Sequence, residues 1–78
     1  MNNIDWHAIT TFEAVARLGS FTLAARELKV LQPSVSRRIA RLEQALGVHL
    51  LQRTRPRVTL TRAGESLLKV SQSTARQM

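Results

Sequence analysis

The chain has 78 residues, a net charge of +7 and no cysteine, which fits one small domain with a marginal core and excludes disulfides and thiolate metal sites. No apolar run is long enough to span a membrane, and Met1–His7 has neither the basic start nor the apolar stretch of a secretory signal. Residues 1–31 are electrically balanced, whereas 32–62 set Arg37, Arg38, Arg41, Arg53, Arg55, Arg57 and Arg62 against Glu43 alone, a concentration that points to a polyanionic partner.

Residues 3–18 read as a first helix, with Ile4, Ala8, Phe12, Val15 and Ala16 on one face and Leu18 closing it before Gly19. Asn3 or Asp5 is suited to cap it. Trp6 is expected to be a partly buried packing residue. His7 has no second ligand near it, so no metal site is expected. After the break at Gly19, Ser20 or Thr22 can cap a short second helix whose apolar contacts come from Leu23, Ala24, Ala25 and Leu28. Thr22 is also placed to meet a phosphate, because N–H groups at a helix start attract anions. Lys29–Gln32 makes a tight connection into the next helix, completing a helix-turn-helix pattern.

The stretch from Leu31 to Leu46 has two faces. Val35, Ile39, Leu42 and Leu46 recur at spacings of four, three and four, a buried stripe. Ser34, Arg37, Arg38 and Arg41 lie on another face, roughly 120° away at about 100° per residue. Pro33 suits the first turn and Gly47 a left-handed C-cap. Leu31 in the N-cap position cannot accept a hydrogen bond from the first-turn amides, and a Val30–Val35 staple recovers part of that loss. A polar first turn with arginines along the side suits a DNA groove.

Beyond Gly47, Arg53, then Thr54-Arg55-Pro56-Arg57, then Val58 and Leu60 predict two very short strands around a basic turn. Arg55 and Arg57 fall at its tip, where arginines can enter a narrow minor groove. Thr61 caps a last helix, with Glu65 in its first turn. Leu67, Val70, Ser71, Thr74 and Met78 run along one side of that helix. Its first half is expected to pack internally, and the remaining stripe to meet a second copy. The end at Met78 suggests a piece of a longer protein.

Gly19-Ser20-Phe21-Thr22, Ala24-Ala25, Leu28, Gln32-Pro33-Ser34-Val35-Ser36-Arg37, Ile39, Leu42-Glu43, Leu46-Gly47, Leu50, Arg53-Thr54, Leu60-Thr61 and Ala63-Gly64 stand in an order that resembles the N-terminal DNA-binding domain of LysR-type transcriptional regulators. The resemblance covers nearly the whole chain. It implies a mainly α fold: a winged helix-turn-helix, with a three-helix core and a small β-hairpin wing, over 1–61, then the start of a dimerising linker helix over 62–78. It implies a bacterial, cytoplasmic regulator that binds double-stranded DNA as a homodimer at an interrupted palindrome. Gln32, Pro33, Ser34 and Ser36 carry over as major-groove contacts, and Gln is chemically suited to adenine. Arg37, Arg38 and Arg41 are candidates for phosphate or guanine contacts, Arg53 for a phosphate beside the wing, and Arg55 and Arg57 for the minor groove. Leu31 departs from the family, which often has Ser there. The larger effector-binding domain that usually follows is absent, so no effector ligand is expected on this chain.

No enzyme is expected. Ser34 and Ser36 have no adjacent His base, the two histidines are isolated, and neither a carboxylate pair nor a Gly-rich phosphate loop occurs. No cofactor is expected either. The competing reading is a small interaction module whose basic face binds an acidic protein or a membrane surface. It leaves the polar first turn of the third helix and the arginine-rich wing without a purpose.

Overall fold

The computed structural model describes residues 6–54 and 57–77, the last five as backbone only. Its elements are α1 (Trp6–Leu18), α2 (Phe21–Leu28), α3 (Gln32–Leu46), β1 (Leu51–Gln52), β2 (Thr59–Leu60) and α4 (Arg62–Gln77). The first three helices enclose one core. Phe12 and Val15 of α1, Ala24 and Ala25 of α2, and Val35, Ile39 and Leu42 of α3 are all buried, with Leu50 and Leu51 closing the core from the strand side. The expected α1 face holds at Ala8, Phe12 and Val15, but Thr11 and Ala14 are buried where Ala16 is only half-buried. Ile4, Asn3 and Asp5 lie outside the described residues.

Ser20 is the cap of α2. Its backbone is extended and its Oγ accepts the Leu23 N–H at 3.0 Å. Leu23, expected as a core contact, is exposed, and Phe21 is buried in its place. The helix ends at Lys29, which takes the left-handed conformation (φ 60°) usually left to glycine. Its N–H and that of Val30 reach back to the Ala25 and Arg26 carbonyls.

Leu31 is the N-cap of α3, extended (φ −77°, ψ 148°) and without a side-chain cap bond. Its carbonyl instead accepts the N–H groups of Ser34 at 3.0 Å and Val35 at 3.4 Å. The buried stripe is shorter than the period suggests, because Leu46 is 38% exposed and the core stops at Leu42. Gly47 (φ 72°) terminates the helix and donates to the Glu43 carbonyl.

Glu43 also fixes the next turn. Its Oε2 accepts the N–H of Leu50 at 2.7 Å and that of Leu51 at 3.3 Å, an acidic side chain serving as a backbone cap. The hairpin that follows is antiparallel, with Leu51 opposite Leu60 and Gln52 opposite Thr59. Both strands lie farther from the turn than the sequence suggests, and Arg53, Thr54, Arg57 and Val58 fall outside them. Pro56, expected at the turn, lies outside the described residues. Thr61 ties the hairpin to α4: its hydroxyl donates to the His49 carbonyl at 2.6 Å and accepts the Gly64 N–H at 3.0 Å. Gly64 is buried so closely against β1 that a Cβ there would stand 2.1 Å from the Leu50 carbonyl oxygen. Helix α4 then crosses α1, with Leu67 and Leu68 half-buried against the core and Val70 61% exposed.

Candidate nucleic-acid interface

Helix α3 carries its polar groups where the core leaves them open. Gln32 and Pro33 are exposed in the first turn, and Ser34 and Ser36 are half-buried beside them. Gln32 Nε2 donates to Ser36 Oγ at 3.0 Å, so two expected groove-contacting side chains are bonded to each other one turn apart. Ser34, Arg37, Arg38 and Arg41 line a shallow depression of about 220 Å³ on the flank of the helix.

The three arginines are not equivalent. Arg37 and Arg41 are exposed. Arg38 is half-buried, and its Nη1 donates to the hydroxyl of the fully buried Thr11 at 3.3 Å. That bond satisfies a core hydroxyl from a charged donor and fixes α3 against α1. Helical spacing puts Arg38 with the other two on the outer face; its position between core and surface depends on Thr11, an α1 residue far away in the chain.

The wing leans against the start of α2. The Arg53 guanidinium carbon lies 4.3 Å from the centre of the Phe21 ring, a stacking cation–π arrangement. The Val58 N–H donates to the Gly19 carbonyl at 3.0 Å. The Arg57 guanidinium lies beside Gly19, so close that a Cβ on that residue would stand 2.9 Å from Nε. Both arginines remain exposed. Exposed Thr22 follows Phe21 in the first turn of α2. Arg55, expected at the wing tip, lies outside the described residues.

Charge on α1 and α2 is locally neutralised at Arg17. Arg17 forms hydrogen-bonded ion pairs with Glu13 at 3.1 Å and with Glu27, linking α1 to α2. The hydrogen bonds from Arg17 hold the Glu27 carboxyl below its ordinary value. The excess of arginine on α3 and the wing has no comparable set of acids: among the described residues of 32–62, Glu43 is the one carboxylate, and it is engaged by backbone N–H groups. No group of three or more potential metal-ligating side chains occurs among the described residues.

The expected dimerisation stripe divides. Leu67 belongs to the chain's own core and Ser71 Oγ donates to the Leu67 carbonyl at 3.0 Å, while Val70 is exposed. Trp6, expected to be partly buried, is 61% exposed and lines a groove of about 230 Å³ with Ile9, Thr10, Glu13, Ser71 and Gln72. The Thr74 side chain and Met78 lie outside the described residues. Among the described residues no helix is long and apolar enough to cross a membrane.

Three packed helices, the third with a polar outer face, and a two-stranded hairpin folded back on the second define a winged helix-turn-helix. Comparison with known proteins narrows this class. The family model of the bacterial regulatory helix-turn-helix proteins of the lysR family matches residues 6–65. The HTH-type transcriptional activator CmpR of Synechocystis sp. is 41% identical over 73 residues, which are 94% of this chain and 24% of CmpR. A crystal structure of a CbnR DBD–DNA complex superposes with a TM-score of 0.88 at 34% identity, over 95% of this chain and 85% of that one. A BenM DBD complex with catB site 1 DNA superposes with a TM-score of 0.90 at 32% identity, over 95% and 82% of the two chains. The chain therefore belongs to the LysR family of bacterial regulators. It spans about a quarter of the length of CmpR.

Proposed function

We propose that the chain is the sequence-specific, double-stranded-DNA-binding part of a cytoplasmic LysR-type transcriptional regulator. Residues 1–61 form the DNA-binding unit and 62–78 the start of a linker helix that pairs two copies on an interrupted palindrome. The observation that carries the reading is the outer face of α3: exposed Gln32 and Pro33 at its start, Ser34 and Ser36 beside them, and exposed Arg37 and Arg41 along its flank. A helix of this kind enters a major groove with its first turn on the base edges. That similar structures, CbnR and BenM DBDs among them, are complexes with DNA supports the reading.

In this reading Gln32, Pro33, Ser34 and Ser36 meet base edges, and Arg37 and Arg41 meet phosphate or guanine. Arg38 contributes from its half-buried position. Arg53, held over Phe21, and Thr22 at the start of α2 meet one phosphate strand, and Arg55 and Arg57 of the wing meet the minor groove. Val70 of the expected stripe, with Ser71, Thr74 and Met78 after it, meets the second copy, while Leu67 serves the chain's own core. No catalytic step belongs to this reading, and any effector acts on a part of the protein beyond this chain. The test is selection of random-sequence duplexes by the purified chain, followed by rebinding at several salt concentrations. Enrichment of a two-fold symmetric, interrupted site is expected. Salt-dependent binding without any enriched sequence would overturn the reading in favour of a basic interaction module.

A further inference from the structure

The hydrogen bond from Gln32 Nε2 to Ser36 Oγ, 3.0 Å long, joins the first turn of α3 to the second. We infer that Ser36 is a positioning residue which fixes the Gln32 amide so that it reads adenine. The inference rests on the assignment of α3 to the major groove.

Gln32 is exposed at the first position of α3, and Leu31 before it has no side-chain bond to the helix start. An unrestrained glutamine there samples several rotamers and both orientations of its terminal amide. The bond to Ser36 biases the side chain toward one orientation before any ligand arrives. It also uses one of the two Nε2 hydrogens and leaves the second, with both lone pairs of Oε1, available. The open groups are thus one donor and one acceptor on a planar amide. Adenine offers the complement in the major groove, an N7 acceptor beside an N6 donor. Guanine presents two acceptors, N7 and O6, and opposes one of them to Oε1. Orientation of the amide therefore decides which base is accepted, and the residue that sets the orientation is Ser36. Half-buried Ser36 also keeps its own hydroxyl hydrogen for another acceptor, since toward Gln32 its oxygen is the accepting atom.

The test uses a duplex bearing the site selected by the wild-type chain and its single-base-pair variants, with affinities measured by fluorescence anisotropy. Gln32→Ala should flatten an adenine preference of about tenfold or more at one base pair per half-site. Ser36→Ala should weaken the preference at that same pair by roughly two- to tenfold, the effect of releasing one restrained side chain. The salt slope should stay unchanged. Ser36→Thr, which keeps the hydroxyl, should restore the preference, and Ser36→Ala should have no further effect at that pair in the Gln32→Ala background. Additive losses at that pair, or losses at other base pairs with none at that one, would show Ser36 acting only by itself and overturn the inference while leaving the DNA-binding reading intact. A wild-type chain that selects no sequence at all would overturn both.

Discussion

Replacing Leu31 with Ser tests how α3 is started. The residue is 76% exposed, so its removal surrenders almost no buried area. Its backbone already has the extended conformation of an N-cap. A serine hydroxyl at such a position normally accepts N–H groups of the second and third helical residues, and the exchange is typically worth about 1 kcal/mol. Here the second helical residue is Pro33, which has no N–H, and the third, Ser34, already donates to the Leu31 carbonyl at 3.0 Å. The gain should therefore fall in the lower half of the range, about 0.5–1 kcal/mol. For a domain of this size that raises Tm by roughly 2–8 °C. Val30 and Val35 are untouched, so their contribution is common to both proteins. Thermal unfolding followed by circular dichroism measures the difference. An unchanged or lower Tm with the helix content intact would refute the cap frame.

Four further outcomes are expected. Gly64→Ala should destabilise by about 1–3 kcal/mol in urea, because a Cβ 2.1 Å from the Leu50 carbonyl forces backbone apart and outweighs the better helix propensity of alanine; a stabilised variant would count against that packing. Glu43→Ala leaves the Leu50 and Leu51 N–H groups without their acceptor and should cost about 1–3 kcal/mol in the same assay; wild-type stability would mean that water substitutes for the carboxylate. The Arg17–Glu27 pair stabilises the fold fully above pH 4.5, the ordinary Glu27 value, and progressively less as pH falls through its lowered folded-state value. Glu27→Gln should therefore lower Tm at neutral pH and converge with wild type in acid, and a constant difference across that range would reject the linkage. Arg57→Ala should weaken binding to all duplexes alike and reduce the salt slope by about one unit, whereas a sequence-selective loss would place Arg57 on a base edge.

Periodic features of the chain were legible and pairwise ones were not. The stripe Val35–Ile39–Leu42 specifies the buried face of α3 because a helix repeats every 3.6 residues, and all three are buried. Gly47 was readable as a left-handed terminus for a similarly local reason. The same rule extended the stripe one step too far, to Leu46, since periodicity does not say where the opposing helices end. Strand positions moved outward because the tie from Val58 to Gly19 and that from Thr61 to Leu50 are made to distant parts of the chain. The contacts that orient the arginines share this origin. Phe21 under Arg53, Gly19 beside Arg57 and Thr11 beneath Arg38 are each separated from their partner by more than two dozen residues. Gln32–Ser36, like Arg17–Glu13, was within reach of sequence reasoning, because residues four apart on a helix are neighbours.

These distant contacts also explain how a weakly capped helix can serve as a reading head. Cap hydroxyls and first-turn acids stabilise a helix start by occupying the groups that a ligand would otherwise meet. Helix α3 has no side-chain cap bond and no acid in its first turn. It is held from its inner face by Val35, Ile39 and Leu42, from its flank by the Arg38–Thr11 bond, and at its far end by the Glu43 clamp on β1. Stability supplied from those three directions keeps the helix rigid while leaving its N-terminal turn chemically open. The same arrangement predicts that weakening any one support changes folding before it changes base preference, whereas changes at Gln32 or Ser36 do the reverse.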